Sequence, residues 1–272
     1  MSATPLVPHP APKPHALPPH GVPTVLVTGA AKRLGRKIAL KLAANGWRVG
    51  VHYRDSVEEA RRTTAECAQL TPGAAAFRSN LGNETAVRNL VPTVLTEFGH
   101  LDAVVNCAST FEHDTAATFS FEAMEKHMRS NAGAAILISQ ALHTHLGVRA
   151  KADPDVRGVV VNLLDQKVWN TTPDFVSYTL SKAALDAANS MLALALQPLV
   201  RVVGIAPDTT LTAPMLKGET LAHLQGRMQG PLPAGVTASA LDASAAVLLV
   251  LQDPSISGTT LLVQDPPGHA DA

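Results

Sequence analysis

"TVLVTGAAKRLGRKIALKLAAN", residues 24–45, passes from a β-branched apolar run through a glycine-bearing turn into a stretch whose apolar residues recur at helical spacing. Gly29 and Gly35 flank the turn and allow tight backbone geometry. The helix that follows offers free N–H groups and a positive dipole end, which suits a pyrophosphate. Taken alone, the same turn would serve as an ordinary tight strand-to-helix connection, and Arg33 stands where a middle glycine of G-x-G-x-x-G would be expected.

The pattern repeats along the chain. "WRVGVHY" (47–53), "AAAFRS" (74–79), "LDAVVNCA" (101–108), "GVVVNLL" (158–164), "VRVVGIA" (200–206) and "TTLLVQD" (259–265) join residues 24–29 as seven expected strands. Six expected helices alternate with them: residues 33–45, 56–70, 84–98, 121–146, 177–196 and 237–252. Such alternation implies right-handed crossovers and a parallel sheet covered on both faces. The expected fold is a single doubly wound α/β domain over 24–272, with a seven-stranded parallel sheet and its ligand at the carboxyl ends of the strands.

Composition narrows the classes. A chain of 272 residues can bury one large core, and Lys plus Arg equals Asp plus Glu at 22 each, so no global charge points to nucleic acid or an anionic membrane. Cys67 and Cys107 form no disulfide framework and no metal signature, and a cytoplasmic setting is the default expectation. Residues 1–23 are dense in Pro and read as a disordered or polyproline-like tail. Metal capture by His9, His15 and His20 is the alternative use of that tail. Repeats with solenoid periods are absent.

Cations gather where a dinucleotide would lie. Lys32 and Arg33 sit in the first turn, and Arg54 and Ser56 follow the second strand in "VHYRDS". The end of the second strand meets the adenosine ribose in this fold, where an acid binds a 2′-hydroxyl and an Arg accommodates a 2′-phosphate. His52, Tyr53 and Arg54 hold the acid's place, so NADPH is expected over NADH; the competing reading makes Asp55 the ribose acid.

With the "TGAAKRLG" turn, "NCAS" (106–109), Asn131 in "MRSNAGA" and Tyr178 with Lys182 in "YTLSK", in order on this frame, the chain resembles the short-chain dehydrogenase/reductase family, of Rossmann type. The resemblance implies hydride transfer with a nicotinamide cofactor. Tyr178 and Lys182 are one helical turn apart, so the ammonium is expected to favour the phenolate and lower a phenol pKa of about 10, making Tyr178 the proton donor. By resemblance Lys182 also holds the nicotinamide ribose, and Asn131 supports a water-linked proton path behind it.

Thirteen residues before Tyr178 stands Asp165, where the family usually carries Ser. An ionised carboxylate only accepts hydrogen bonds and repels a developing oxyanion, so it fits a substrate that presents N–H groups or is protonated on nitrogen. An Asp–Tyr relay, with the acid holding a proton at a raised pKa, is the functional reading. An Asp merely ending a strand and capping the next turn is the bland one. The pteridine reductases share this Asp, the Arg-bearing turn, a "HYR" segment and a Ser plus aromatic after the fourth strand, here Ser109 and Phe111. Phe111 would stack a flat pterin against the nicotinamide.

The resemblance implies a catalytic set of Asp165, Tyr178, Lys182 and Asn131. The implied cofactor set is Gly29, Lys32, Arg33, Leu34, His52, Tyr53, Arg54, Ser56, Asn80, Leu81, Asn106, Ala108, Lys182 and Pro207. The substrate set is Arg33, Ser109, Phe111, Asp165 and Tyr178, with no metal. Departures from the family pattern are "NCAS" for Asn-Asn-Ala-Gly, Asn80 for an adenine-contacting Asp, Asp208 for a Gly, and Pro266 with Pro267 in "VQDPPGH". Residues 207–235 are expected to form a substrate lid. A dihydropterin such as dihydrofolate, dihydrobiopterin or dihydromonapterin is the favoured substrate. An NADPH-dependent carbonyl or ketoacyl reductase and a non-catalytic NADP-binding regulator are the alternatives. By analogy the helices at 133–142 and 182–196 would pack subunits into a homotetramer.

Overall fold

The computed structural model describes residues 21–207, 237–238 and 243–263. The expected tail up to residue 20, most of the expected lid (208–235), Asp208 and the "QDPPGH" turn lie outside them.

β1 (Thr24–Val27), β2 (Arg48–Tyr53), β3 (Ala75–Arg78), β4 (Ala103–Asn106), β5 (Gly158–Leu163), β6 (Val200–Pro207), β7 (Thr237–Ala238) and β8 (Thr260–Val263) form one sheet in the order β3-β2-β1-β4-β5-β6-β8-β7. Every pairing is parallel. All seven expected strands are present, and the eighth, two residues long, is an edge addition that its length hid. β1, β4 and β5 are buried at every residue, as strands covered on both faces must be, whereas edge-lying β3 buries only Phe77.

Side-chain alternation divides the core. Val25, Val27, Val105 and Val161 pack with α1 (Arg33–Ala43), below one face, while Leu26, Val104 and Val160 pack on the other face with α3 (Glu84–Phe98) and the later helix at Ala134–Arg149. α2 (Val57–Leu70) runs between β2 and β3. Asn83 caps α3 by accepting from Ala86 N at 2.9 Å, and Gly99 at φ 80° ends it.

Two expected helices are corrected. Residues 121–146 are not one helix: α4 (Phe121–His127) gives way to a π-helical segment, Met128–Gly133, before α5 (Ala134–Arg149). Apolar spacing does not register an i→i+5 turn of a few residues. The helix expected from 237 begins at Ala243, as α7 (Ala243–Gln252), because residues 237–238 join the sheet. α6 (Val176–Ala195) matches its expected span and carries two stripes. Ser181, Leu185, Ala188 and Asn189 are buried, while Leu180, Ala187, Met191 and Leu194 face outward and are exposed. Among the described residues no helix is long and apolar enough to cross a membrane, and no cluster of three metal-ligating side chains occurs.

Candidate active site

A cleft of 610 Å³ lies at the carboxyl ends of the strands, where β1 and β4 diverge in the sheet order. Of the implied catalytic, cofactor and substrate residues, all line it except Asn106 and Asn131.

The turn after β1 is built for close approach. Gly29 has φ 68°, and a Cβ there would stand 2.9 Å from Ala108 Cα; a Cβ on Gly35 would collide with the carbonyl oxygen of Gly29. Arg33 takes the left-handed conformation, φ 53°, at the position where a glycine would be unstrained, and its side chain is exposed with that of Lys32. Thr28, which the sequence reading passed over, accepts the N–H groups of Cys107 and Ala108 at 2.9 and 3.0 Å on Oγ1, locking the β4 exit to the turn. Its place directly before Gly29 was the available signal.

His52 lines the cleft but is not a cation. Its Nδ1 accepts from Gly29 N–H at 3.0 Å and its Nε2–H donates to the Ser79 carbonyl at 3.1 Å, which fixes a neutral tautomer. Burial pushes its pKa down to about 4, the bond to Ser79 opposing. The imidazole therefore ties the turn after β1 to the end of β3. Tyr53 is half-buried, and Arg54 is exposed and paired with Asp55 at 2.7 Å.

Asp165 ends β5 and Tyr178 opens α6, and the two meet: Tyr178 Oη–H donates to Asp165 Oδ2 at 2.7 Å, with both side chains buried. Asp165 Oδ1 accepts from Lys167 N at 2.9 Å, so the carboxylate also caps the short 3₁₀ turn Gln166–Val168. One carboxylate thus accepts from the phenol and caps the turn at the same time. Gln166, beside it, donates from Nε2 to the carbonyls of Ala206 and Val263 at 3.4 and 3.2 Å, tying the turn to the ends of β6 and β8.

The electrostatics of Tyr178 reverse the expectation drawn from spacing. Burial, then the charge of Asp165 and the hydrogen bond to it, hold the phenol well above its ordinary pKa, a hydrogen bond with Ser109 opposing. Lys182 does not offset this: its Nζ donates to the Leu163 carbonyl at 2.6 Å and lies 5.9 Å from the Tyr178 ring centroid. Its own pKa is lowered by burial, against the pull of Asp165 and Cys107. The Cys107 thiol is pushed up to about 11 by burial, Lys182 opposing. The phenol is thus held as a neutral donor.

Asn131 sits behind this pair in the π-helical segment. Its Oδ1 accepts from Thr110 N at 2.7 Å, and its Nδ2 donates to Thr110 O and Ser181 Oγ, both at 2.9 Å. Asn106 turns away from the cleft into a buried ladder, donating to Asn162 Oδ1 at 2.9 Å, and Asn162 donates on to Asn189 Oδ1 at 3.0 Å.

On the open side Phe111 stacks on Phe175 (centroids 4.4 Å, 18°) and meets Tyr178 edge-on at 4.6 Å. Phe175 is itself left-handed, φ 61°, and the following turn is clamped by buried Asp114. Asp114 accepts from Ser177 N at 3.1 Å and from Ser177 Oγ at 2.5 Å, while its carbonyl accepts from Phe175 N at 2.7 Å. Asp114 lies 63 residues from Ser177, so no local pattern could have exposed it.

A wall of backbone-accessible glycine turn, a buried donor–acceptor pair and an aromatic face can hold a flat, nitrogen-bearing ligand beside a dinucleotide. The chain is 29% identical to the FolM alternative dihydrofolate reductase 1 of Brucella canis, solved with NADP, with TM-score 0.74 and coverage of 89% of this chain and 92% of that one. The corresponding protein of Brucella suis, also with NADP, gives 29% identity, TM-score 0.71 and coverage of 89% and 93%. By sequence it is 28% identical to a putative ketoacyl reductase of the granaticin polyketide synthase of Streptomyces violaceoruber, over 89% of this chain and 94% of the relative. It is 27% identical to 3beta-hydroxysteroid dehydrogenase 1 of Eggerthella lenta, over 88% and 91%. The short chain dehydrogenase family model matches residues 23–221, and the chain belongs to that family.

Proposed function

We propose that the protein is an NADPH-dependent reductase of dihydropterins. The observation that carries this reading is the buried 2.7 Å contact between Tyr178 Oη and Asp165 Oδ2. A carboxylate in that place repels a developing oxyanion but receives a ring N–H, so the site favours a substrate reduced at C=N and protonated on nitrogen. The NADP complexes of the two FolM proteins support the cofactor.

NADPH fits the chain's residues: Gly29 and Gly35 admit a pyrophosphate against the backbone, and Lys32, Arg33 and Arg54 crowd the adenosine end. When bound, the cofactor supplies the hydride. Tyr178 gives its proton to the substrate nitrogen and regains one from solvent, while Asp165 orients the phenol by accepting from it on Oδ2. Lys182, fixed on Leu163 O, holds the nicotinamide ribose and a positive charge beneath the pair. Asn131 keeps Thr110 and the β4 exit in place and borders the proton path. Ser109 and Phe111 take the pterin, Phe111 by its face. The proposal includes a cytoplasmic enzyme of folate metabolism and a homotetramer joined through the outer faces of α5 and α6.

A second reading, a carbonyl or ketoacyl reductase, is favoured by the ketoacyl and hydroxysteroid relatives at 27–28% identity. The deciding experiment follows NADPH oxidation with a dihydropterin and with a simple ketone, for wild type and Asp165→Ser. Loss of a general acid–base partner costs about 10²-fold or more, so the pterin rate should fall by that factor while the ketone rate does not. Turnover of the ketone alone, or improvement of both rates in the variant, would establish the second reading instead.

A further inference from the structure

The adenosine corner of the cleft holds a cation that its sequence pattern did not single out. β2 and β3 run in register with Tyr53 opposite Arg78, so Arg78 ends its strand beside the segment that carries Arg54. Its Nε donates to the Arg54 carbonyl at 3.1 Å, which fixes the guanidinium at the lip while leaving both Nη groups for another acceptor. Arg54, Asp55, Arg78, Ser79 and Asn80 line a smaller cleft of 300 Å³, and all of them but Arg78 also line the main one.

Charge there is unevenly compensated. Arg54 donates from Nε to Asp55 Oδ2 at 2.7 Å, with the two side chains 60% and 67% exposed. A dianion approaching that pair meets a dipole whose net charge is near zero, and Asp55 by itself repels it. Arg78 has no carboxylate within ion-pairing distance among the described residues, and neither has Arg33 across the cleft. The uncompensated positive charge at this corner therefore belongs to Arg33, Lys32 and Arg78 rather than to Arg54.

We propose that Arg78 is a specificity-determining residue for the adenosine 2′-phosphate of the cofactor, supplying the free guanidinium that Arg54, tied to Asp55, does not. The assignment rests on NADPH being the cofactor and is independent of which substrate is reduced. A charge-assisted Arg–phosphate bond at a half-open site is the kind of contact that separates two cofactors differing only by that phosphate.

Equilibrium titration of the protein with NADPH and with NADH, followed by nicotinamide fluorescence, tests it on wild type, Arg78→Gln, Arg78→Lys and Asp55→Asn. Arg78→Gln should weaken NADPH about 10-fold and leave NADH within about twofold, flattening the salt dependence of NADPH binding. Arg78→Lys should retain much of the preference, and Asp55→Asn should tighten NADPH several-fold with NADH unmoved. Equal weakening of both cofactors would make Arg78 a prop for the Arg54 backbone, and an unchanged NADPH-to-NADH ratio would make it a solvated strand end; either overturns the proposal. A wild type that prefers NADH overturns it together with the NADPH reading, whereas absent pterin turnover beside an intact NADPH preference sinks only the substrate reading.

Discussion

Burial holds His52 near pKa 4 while the same imidazole in an unfolded chain titrates near 6.5, and the difference is a statement about stability. Between those values the unfolded chain binds a proton that the folded one refuses, so stability rises with pH. The contribution is complete above about pH 6.5 and is lost as pH falls towards 4, amounting to about 3 kcal/mol at the limit. Chemical denaturation from pH 4.5 to 7.5 should show the wild type losing stability steeply over that window and His52→Gln, though weaker at pH 7.5, losing less. Parallel slopes would mean that the buried ring is not the titrating group. Residues whose chemistry is declared by type and spacing were readable in sequence: Tyr178 and Lys182 four apart, and an acid thirteen residues upstream. Their charge states were not, because the sign of the Tyr178 shift depends on a carboxylate brought to 2.7 Å and on burial, neither of which spacing encodes.

Segments that depart from regular geometry position the side chains around the cleft. The π-helical turn at Met128–Gly133 aims Asn131 at Thr110 and Ser181, and the left-handed Phe175 starts α6 so that Phe111 can stack on Phe175 with Tyr178 at its edge. Asp114 is the side chain that fixes the second of these. Asp114→Ala leaves the buried Ser177 N–H and hydroxyl without their acceptor, so urea unfolding should show a loss of about 2–4 kcal/mol. Pterin KM should rise with NADPH affinity unchanged, because the clamp lies on the Phe111 side; cofactor and substrate weakening in parallel would show a general loosening of the domain. The seven main strands were legible because continuous β-branched runs bounded by turn residues have few other uses. The π-helical turn, the two-residue strand and the 63-residue clamp were not, since each is decided by tertiary partners rather than by local periodicity.

At the scale of the molecule, α6 carries a second, exposed apolar stripe. Leu180, Ala187, Met191 and Leu194 recur at helical spacing on its outer face, with Met191 and Leu194 69% and 74% exposed, and Ile136 on α5 adds to the apolar surface. Small and apolar side chains of this kind permit two helices to approach closely across a two-fold axis. Light scattering after size exclusion should give a tetramer for wild type and dimers or monomers for the Met191→Glu, Leu194→Glu double variant; a monomeric wild type would end the assembly proposal. The Gln166 amide secures Ala206 of β6 and Val263 of β8 to the turn that carries Asp165. The ends of β6 and β8 and the turn of Asp165 are thereby held as one unit, so a change at Gln166 reaches all three at once.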